Sequence, residues 1–225
     1  MKTAFRILAL LLMAMLLLSG VVAYADTDND TKDPVNPMTV IGTDKVVVNN
    51  WALVGSSYRV QLVVEFTNVA DEIIPDFEAQ IVFYDADGNI IEMEKDGHDV
   101  VLPGSTVVTE KGVYNDAILQ YDTVEVMVDT EKYTNRYVNH ADKLTIKDNT
   151  SGNKVFLQVT NNDSEEIEEI EIVVVYYDKD NKIIGASEEE IHDLSAGKKA
   201  IMEFSGYDET ATDHYVYYVN QAHTF

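Results

Sequence analysis

The chain contains its own copy. Sliding the sequence by 93 residues brings two segments into register without a gap. Thr67-Asn68 falls on Thr160-Asn161, Tyr84-Asp85 on Tyr177-Asp178, Asp87 on Asp180 and Ile90-Ile91 on Ile183-Ile184. Gly104 then meets Gly197, Tyr114 meets Tyr207, and the loop acids Glu72 and Glu165 coincide. The fold must therefore be one that a short unit can build and then build again.

Period-two alternation agrees between the copies. Successive side chains of a strand point to opposite faces. Phe77, Ala79, Ile81 and Phe83 alternate with Glu78, Gln80, Val82 and Tyr84. Their counterparts Ile170, Ile172, Val174 and Tyr176 alternate with Glu171, Val173, Val175 and Tyr177. Leu62, Val64 and Phe66 point inward, as do Val155, Leu157 and Val159. A slip of one residue would reverse every face, so the shared alternation is a shared fold.

Strands fall near 40–48, 51–54, 58–67, 77–84, 90–94, 106–111 and 122–129 in the first copy. In the second they fall near 133–138, 143–147, 154–160, 169–177, 182–187, 198–204 and 214–220. No stretch of helical period is long enough to matter. The pattern predicts an all-β chain of two tandem Ig-like antiparallel β-sandwich domains, 39–130 and 131–225. The Cys-Trp-Cys core of antibody domains is missing, and Trp51 is expected in the core.

The 225 residues suit two domains of about 100 each. Cysteine is absent, which excludes disulfides, a thiolate metal site, a cysteine nucleophile and a lipidated N-terminal cysteine. Acids outnumber bases 40 to 16, for a net charge of −24. Such a surface repels phosphate, so no nucleic acid partner is expected, and an anionic membrane is a poor one.

Residues 1–25 read as a signal peptide: Lys2 and Arg6 precede the apolar run Ile7 to Leu18, and Ala23-Tyr24-Ala25 supplies small residues for cleavage after Ala25. An uncleaved anchor is the alternative, because Ile7 to Ala23 falls just short of the roughly 20 residues that span a bilayer. Residues 26–38, rich in Asp, read as a flexible acidic spacer. The expected protein is secreted or cell-surface, with no membrane insertion after signal cleavage.

Four pieces arrive in order: Val64-Glu65-Phe66-Thr67-Asn68, then Phe77 to Tyr84, then Asp85-Ala86-Asp87-Gly88-Asn89-Ile90-Ile91, then Leu102-Pro103-Gly104. This succession resembles the FxLYD domain family over about 58–112. The likeness is fainter over 154–205, where Asn181 replaces the hairpin Gly and Ala196 the Pro. The resemblance implies an Ig-like sandwich in an exported protein and brings no catalytic residues with it.

The loop Asp85-Ala86-Asp87-Gly88-Asn89 alternates oxygen ligands as a calcium loop does, yet it lacks the remaining ligand pair and flanking helices. A hairpin turn is the expectation, the more so because Lys179 and Lys182 enter the second copy. The acid clusters Asp71-Glu72, Ser164-Glu165-Glu166 with Glu168-Glu169, and Glu188-Glu189-Glu190 read as turns and solvated faces rather than a glycosidase pair. His98, His140, His192, His214 and His223 lack ligand spacing and read as isolated loop residues.

An outward row remains: Val63, Val82 and Tyr84, then Phe156, Val173, Val175 and Tyr177, with Tyr215, Tyr217 and Tyr218 on the last strand. It is either a binding patch or a face covered by something else. No catalytic residue, cofactor site or metal ligand is assigned. The expected function is a non-catalytic exported binding or spacer module engaging a protein or glycan. The alternatives are a calcium-stabilised extracellular protein and a component of a cell-envelope assembly. The sequence leaves the oligomeric state open.

Overall fold

The computed structural model describes residues 38–56, 59–130, 137–152, 154–208 and 210–224. The expected signal peptide, nearly all of the spacer and most of the weak strand near 133–138 lie outside the described residues. The fold is all-β. Strands β1 (Thr39–Ile41), β2 (Val46–Ser56), β3 (Arg59–Asn68), β4 (Ile74–Tyr84), β5 (Ile90–Val101), β6 (Thr106–Val113) and β7 (Thr123–Asp129) form the first half. Strands β8 (Val138–Asn139), β9 (Leu144–Asp148), β10 (Val155–Asn161), β11 (Ile167–Tyr177), β12 (Ile183–Leu194), β13 (Lys199–Phe204) and β14 (His214–Thr224) form the second.

They make four sheets, ordered β1-β7-β4-β5, β2-β3-β6, β12-β11-β14-β8 and β13-β10-β9. The first pair closes on a core holding Trp51, Leu62, Phe66, Phe77, Ile81 and Phe83; the second closes on Leu157, Ile170, Ile172, Val174, Tyr176 and Phe204. Ile81 and Val174, 93 apart, are both buried in these inward rows.

The repeat extends to polar detail. Asn68 and Asn161 are buried at strand ends. Asn68 donates through Nδ2 to the Glu72 and Val101 carbonyls, each at 2.9 Å, and its Oδ1 accepts from the Ala70 N–H at 2.9 Å. Asn161 repeats this with Glu165, Leu194 and Asp163, at 2.8 Å throughout. One amide thus satisfies three backbone groups that the chain's turn would otherwise leave unpaired. Both halves also carry a bulge one residue after the hairpin, at Ile91 and Ile184.

The sequence reading differs from the structure in three places. The segment 40–48 is not one strand: Gly42 has φ 106° and approaches the Val128 carbonyl so closely that a Cβ would sit 2.5 Å from its oxygen. The chain turns there, leaving β1 parallel to β7 in one sheet and starting β2 in the other. Strand β2 then runs through 49–50 over a bulge instead of stopping at 48. Finally β5, β12 and β14 reach Val101, Leu194 and Thr224. Their added turns of sequence are acidic or histidine-bearing, and β5 and β12 are sheet edges, where charge is the normal protection.

Candidate functional site

The hairpin loop is occupied by its own backbone. Asp85 Oδ1 accepts from the Asp87 and Asn89 N–H groups at 2.9 and 2.8 Å, and the Asn89 amide donates to both carboxylate oxygens. The Asn89 side chain, more than anything else, holds the Asp85 carboxyl below the usual carboxylate range. Asp178 plays the same part toward Asp180 and Lys182, at 2.8 and 2.9 Å. A role filled equally by a lysine backbone is that of an Asx turn.

Four of the histidines stand in strands, and His140, though in a loop, is buried and hydrogen-bonded. His98 is buried in β5, with Nε2 3.0 Å from the Thr109 hydroxyl and its ring against Phe77. Burial lowers its tendency to protonate. His140 is buried between Asp163, at 2.7 Å, and Thr224, at 3.2 Å. His223 is buried in β14, stacked on Tyr137 and 3.6 Å from Glu169. His192 and His214 also stand in strands, and His214 stacks on Tyr177. Sequence missed the four strand positions because imidazole carries no β-signal of its own, and missed the burial of His140 because its partners Asp163 and Thr224 are remote in the chain.

The outward row splits. Val63 on β3 and Val108 on β6 pack against Val173, Val175 and Tyr177 on β11 and against Ile183 and Ala186 on β12, with Ala52 beside them. All are buried, so the outer face of the first half's three-stranded sheet lies on the outer face of the second half's four-stranded sheet. Of the three last-strand tyrosines, Tyr218 alone joins this seam. Tyr215 pairs with Tyr176 and turns toward the second core, and Tyr217 pairs with Val174 and is exposed. Neighbours along a strand cannot share a face, so 217 and 218 had to part. Phe156, Val82 and Tyr84 lie on the two outer sheets, outside the seam.

Two side-chain amides fasten the seam. Gln61 accepts from the Ala186 N–H at 3.0 Å and donates to the Ala186 carbonyl at 2.9 Å. Asn220 does the same to Val108 from the other side, both bonds at 2.8 Å. Asn220 is the extra residue of a bulge between Glu171 and Ile172 pairing, which aims its side chain across the seam. Each amide copies the strand that β6 or β12 lacks on its open side.

Carboxylates are enclosed here too. Glu65 is buried and accepts from the Tyr177 and Tyr218 hydroxyls, the latter at 3.3 Å. Burial raises its pKa although both hydrogen bonds oppose this. Burial also pushes Tyr218 up to about 12. Glu171 accepts from Asn220 at 2.6 Å and is pushed up to about 7, first by burial and then by Glu188, Asp96 and Glu190. The run 188–190 is exposed as expected, but it lies in strand β12 and not in a turn. Among the described residues, the oxygens of Glu169, Glu171 and Glu190 gather within 4.8 Å of one another. No metal is assigned to them.

Glu171 gives a signed prediction. Its folded pKa lies above the ordinary 4.5, so its contribution is fullest below that pH and declines as pH rises toward 7. Glu171→Gln keeps the acceptor for Asn220 and removes the ionisation. The variant is expected to be more stable than the parent by roughly 1–2 kcal/mol at pH 7.5 and equal to it near pH 4.5. Urea unfolding at the two pH values checks this, and equal differences at both would refute it.

No family model matches the chain. No curated protein matches it. Among solved structures it is similar to a red sea bream transglutaminase at 8% identity and a TM-score of 0.24, over 82% of this chain. The chain spans about a third of that protein's length, 32%. A likeness at that level carries no argument about activity.

Proposed function

We propose that this chain is a non-catalytic exported module, two tandem Ig-like domains of the FxLYD type, that serves as a binding or spacer element for a protein or glycan. The observation that carries the reading is where the reactive side chains go. The enclosed acids Glu65 and Glu171 face another sheet, not a cleft, and each is hydrogen-bonded by a seam residue. The buried histidines His98 and His140 are likewise spent on internal partners. A glycosidase or esterase needs such groups facing a substrate across a pocket.

The test is turnover by the purified chain on panels of polysaccharides, esters and peptides. The expected result is no activity above background. Activity that disappears with Glu171→Gln or Glu65→Gln would overturn the proposal.

A further inference from the structure

The seam joins unlike faces, and that leaves one of each unused. The layers run β1-β7-β4-β5, β2-β3-β6, β12-β11-β14-β8, β13-β10-β9, with the seam between the second and third. The first half therefore still presents the outer face of its four-stranded sheet. The second half still presents that of its three-stranded sheet. These are the repeat equivalents of the two faces that already pack together.

Register fixes the correspondence. In the seam Val175 stands opposite Ala186, and Tyr218 opposite Val173. In the first half Val82 stands opposite Met93, and Met127 opposite Gln80. Apolar character persists there: Val82 itself is buried, but its neighbours Met93, 45% exposed, and Met127, 36% exposed, present apolar surface. On the other side, Val63 pairs with Glu110 and Glu65 with Val108. Their equivalents pair Phe156 with Glu203 and Gln158 with Ile201, and Ile201 is 67% exposed. Charge is complementary at the rims. Lys147, opposite Gln158, and Lys154, ion-paired with Glu203, border the Phe156 face, while Glu125 and Glu78, the latter 3.6 Å from Lys95, border the Met93 face, so each rim keeps a net charge of opposite sign.

We propose that a second copy of this chain docks head to tail, its Phe156–Ile201 face on the Met93–Met127 face of the first, repeating the intramolecular seam between molecules. This rests on the reading of the chain as a binding or spacer module and names one of its partners. The two faces lie on opposite outer layers, so the contact is heterologous and does not close at two.

Sedimentation velocity of the purified chain from micromolar to millimolar concentration tests it. The average mass is expected to rise with concentration past that of two chains. Met93→Glu and Ile201→Glu change exposed positions, and circular dichroism checks that each remains folded. Each variant alone is expected to stay monomeric, because one face is spoiled. Their equimolar mixture is expected to form a species of two chains and no more, one variant supplying each intact face. A monomeric parent at millimolar concentration, an assembly that stops at two, or one that survives in either variant would overturn the proposal. Those results would leave the absence of turnover unaffected, so the two readings fail separately.

Discussion

Asn161→Ala is expected to cost about 3–4 kcal/mol of stability, a large part of what an ordinary domain possesses. The side chain is fully buried and serves Glu165, Leu194 and Asp163 at once. Alanine leaves an amide N–H and two carbonyls facing a site that water enters poorly, and each unmet group costs about 1–3 kcal/mol at full burial. Asn161→Asp is expected to be worse, because a carboxylate would meet two carbonyl oxygens. Asn68→Ala should cost the same within about 1 kcal/mol, since its three bonds match in kind and length. The sites belong to separate cores, so the double variant should be close to additive. Urea unfolding measures all four. A loss below about 1 kcal/mol at either site would show that the corner tolerates unpaired backbone.

Val63→Asp is expected to open the seam while leaving both cores intact. Val63 is fully buried among residues of the seam and belongs to neither sandwich core. An unpaired carboxylate there costs about 4–5 kcal/mol unless the faces part, and Glu65 two residues away on the same face adds like charge. Parting relieves both. The radius of gyration from small-angle scattering should increase, and Tyr218 should titrate nearer 10 than its seam value of about 12. The paired variant Gln61→Ala with Asn220→Ala loosens the same seam without adding charge and should move both readouts the same way. Unchanged scattering and an unchanged tyrosine titration would mean that the faces hold without Val63.

The inward rows were legible because period two has no other physical meaning in so short a unit. Leu62, Val64 and Phe66 are buried in one core, and Val155, Leu157 and Val159 in the other. The hairpins were legible for a related reason: Gly88 and Asn181 both take positive φ, as the Asp-Gly and Asp-Asn turns require. The acidic ends of β5 and β12 were not, because a charged edge strand and a solvated loop use the same residues. The seam was half legible. Val173 and Val175 announced an apolar row, open between a binding patch and a covered face, and no local pattern says which surface covers it. The amide of Gln61 could not be singled out from sequence, since its role exists only once Ala186 arrives opposite.

The clasps at Ala186 and Val108 bear on how such a chain would fail. Strands β6 and β12 end their sheets, and at those two residues the hydrogen-bonding rim is stopped by a borrowed side chain. Prising the halves apart therefore uncovers apolar surface and two raw templates for strand addition in a single event. Damage at the join would show itself as precipitate or fibre before it showed as unfolding. The join acts as a safety catch against misassembly.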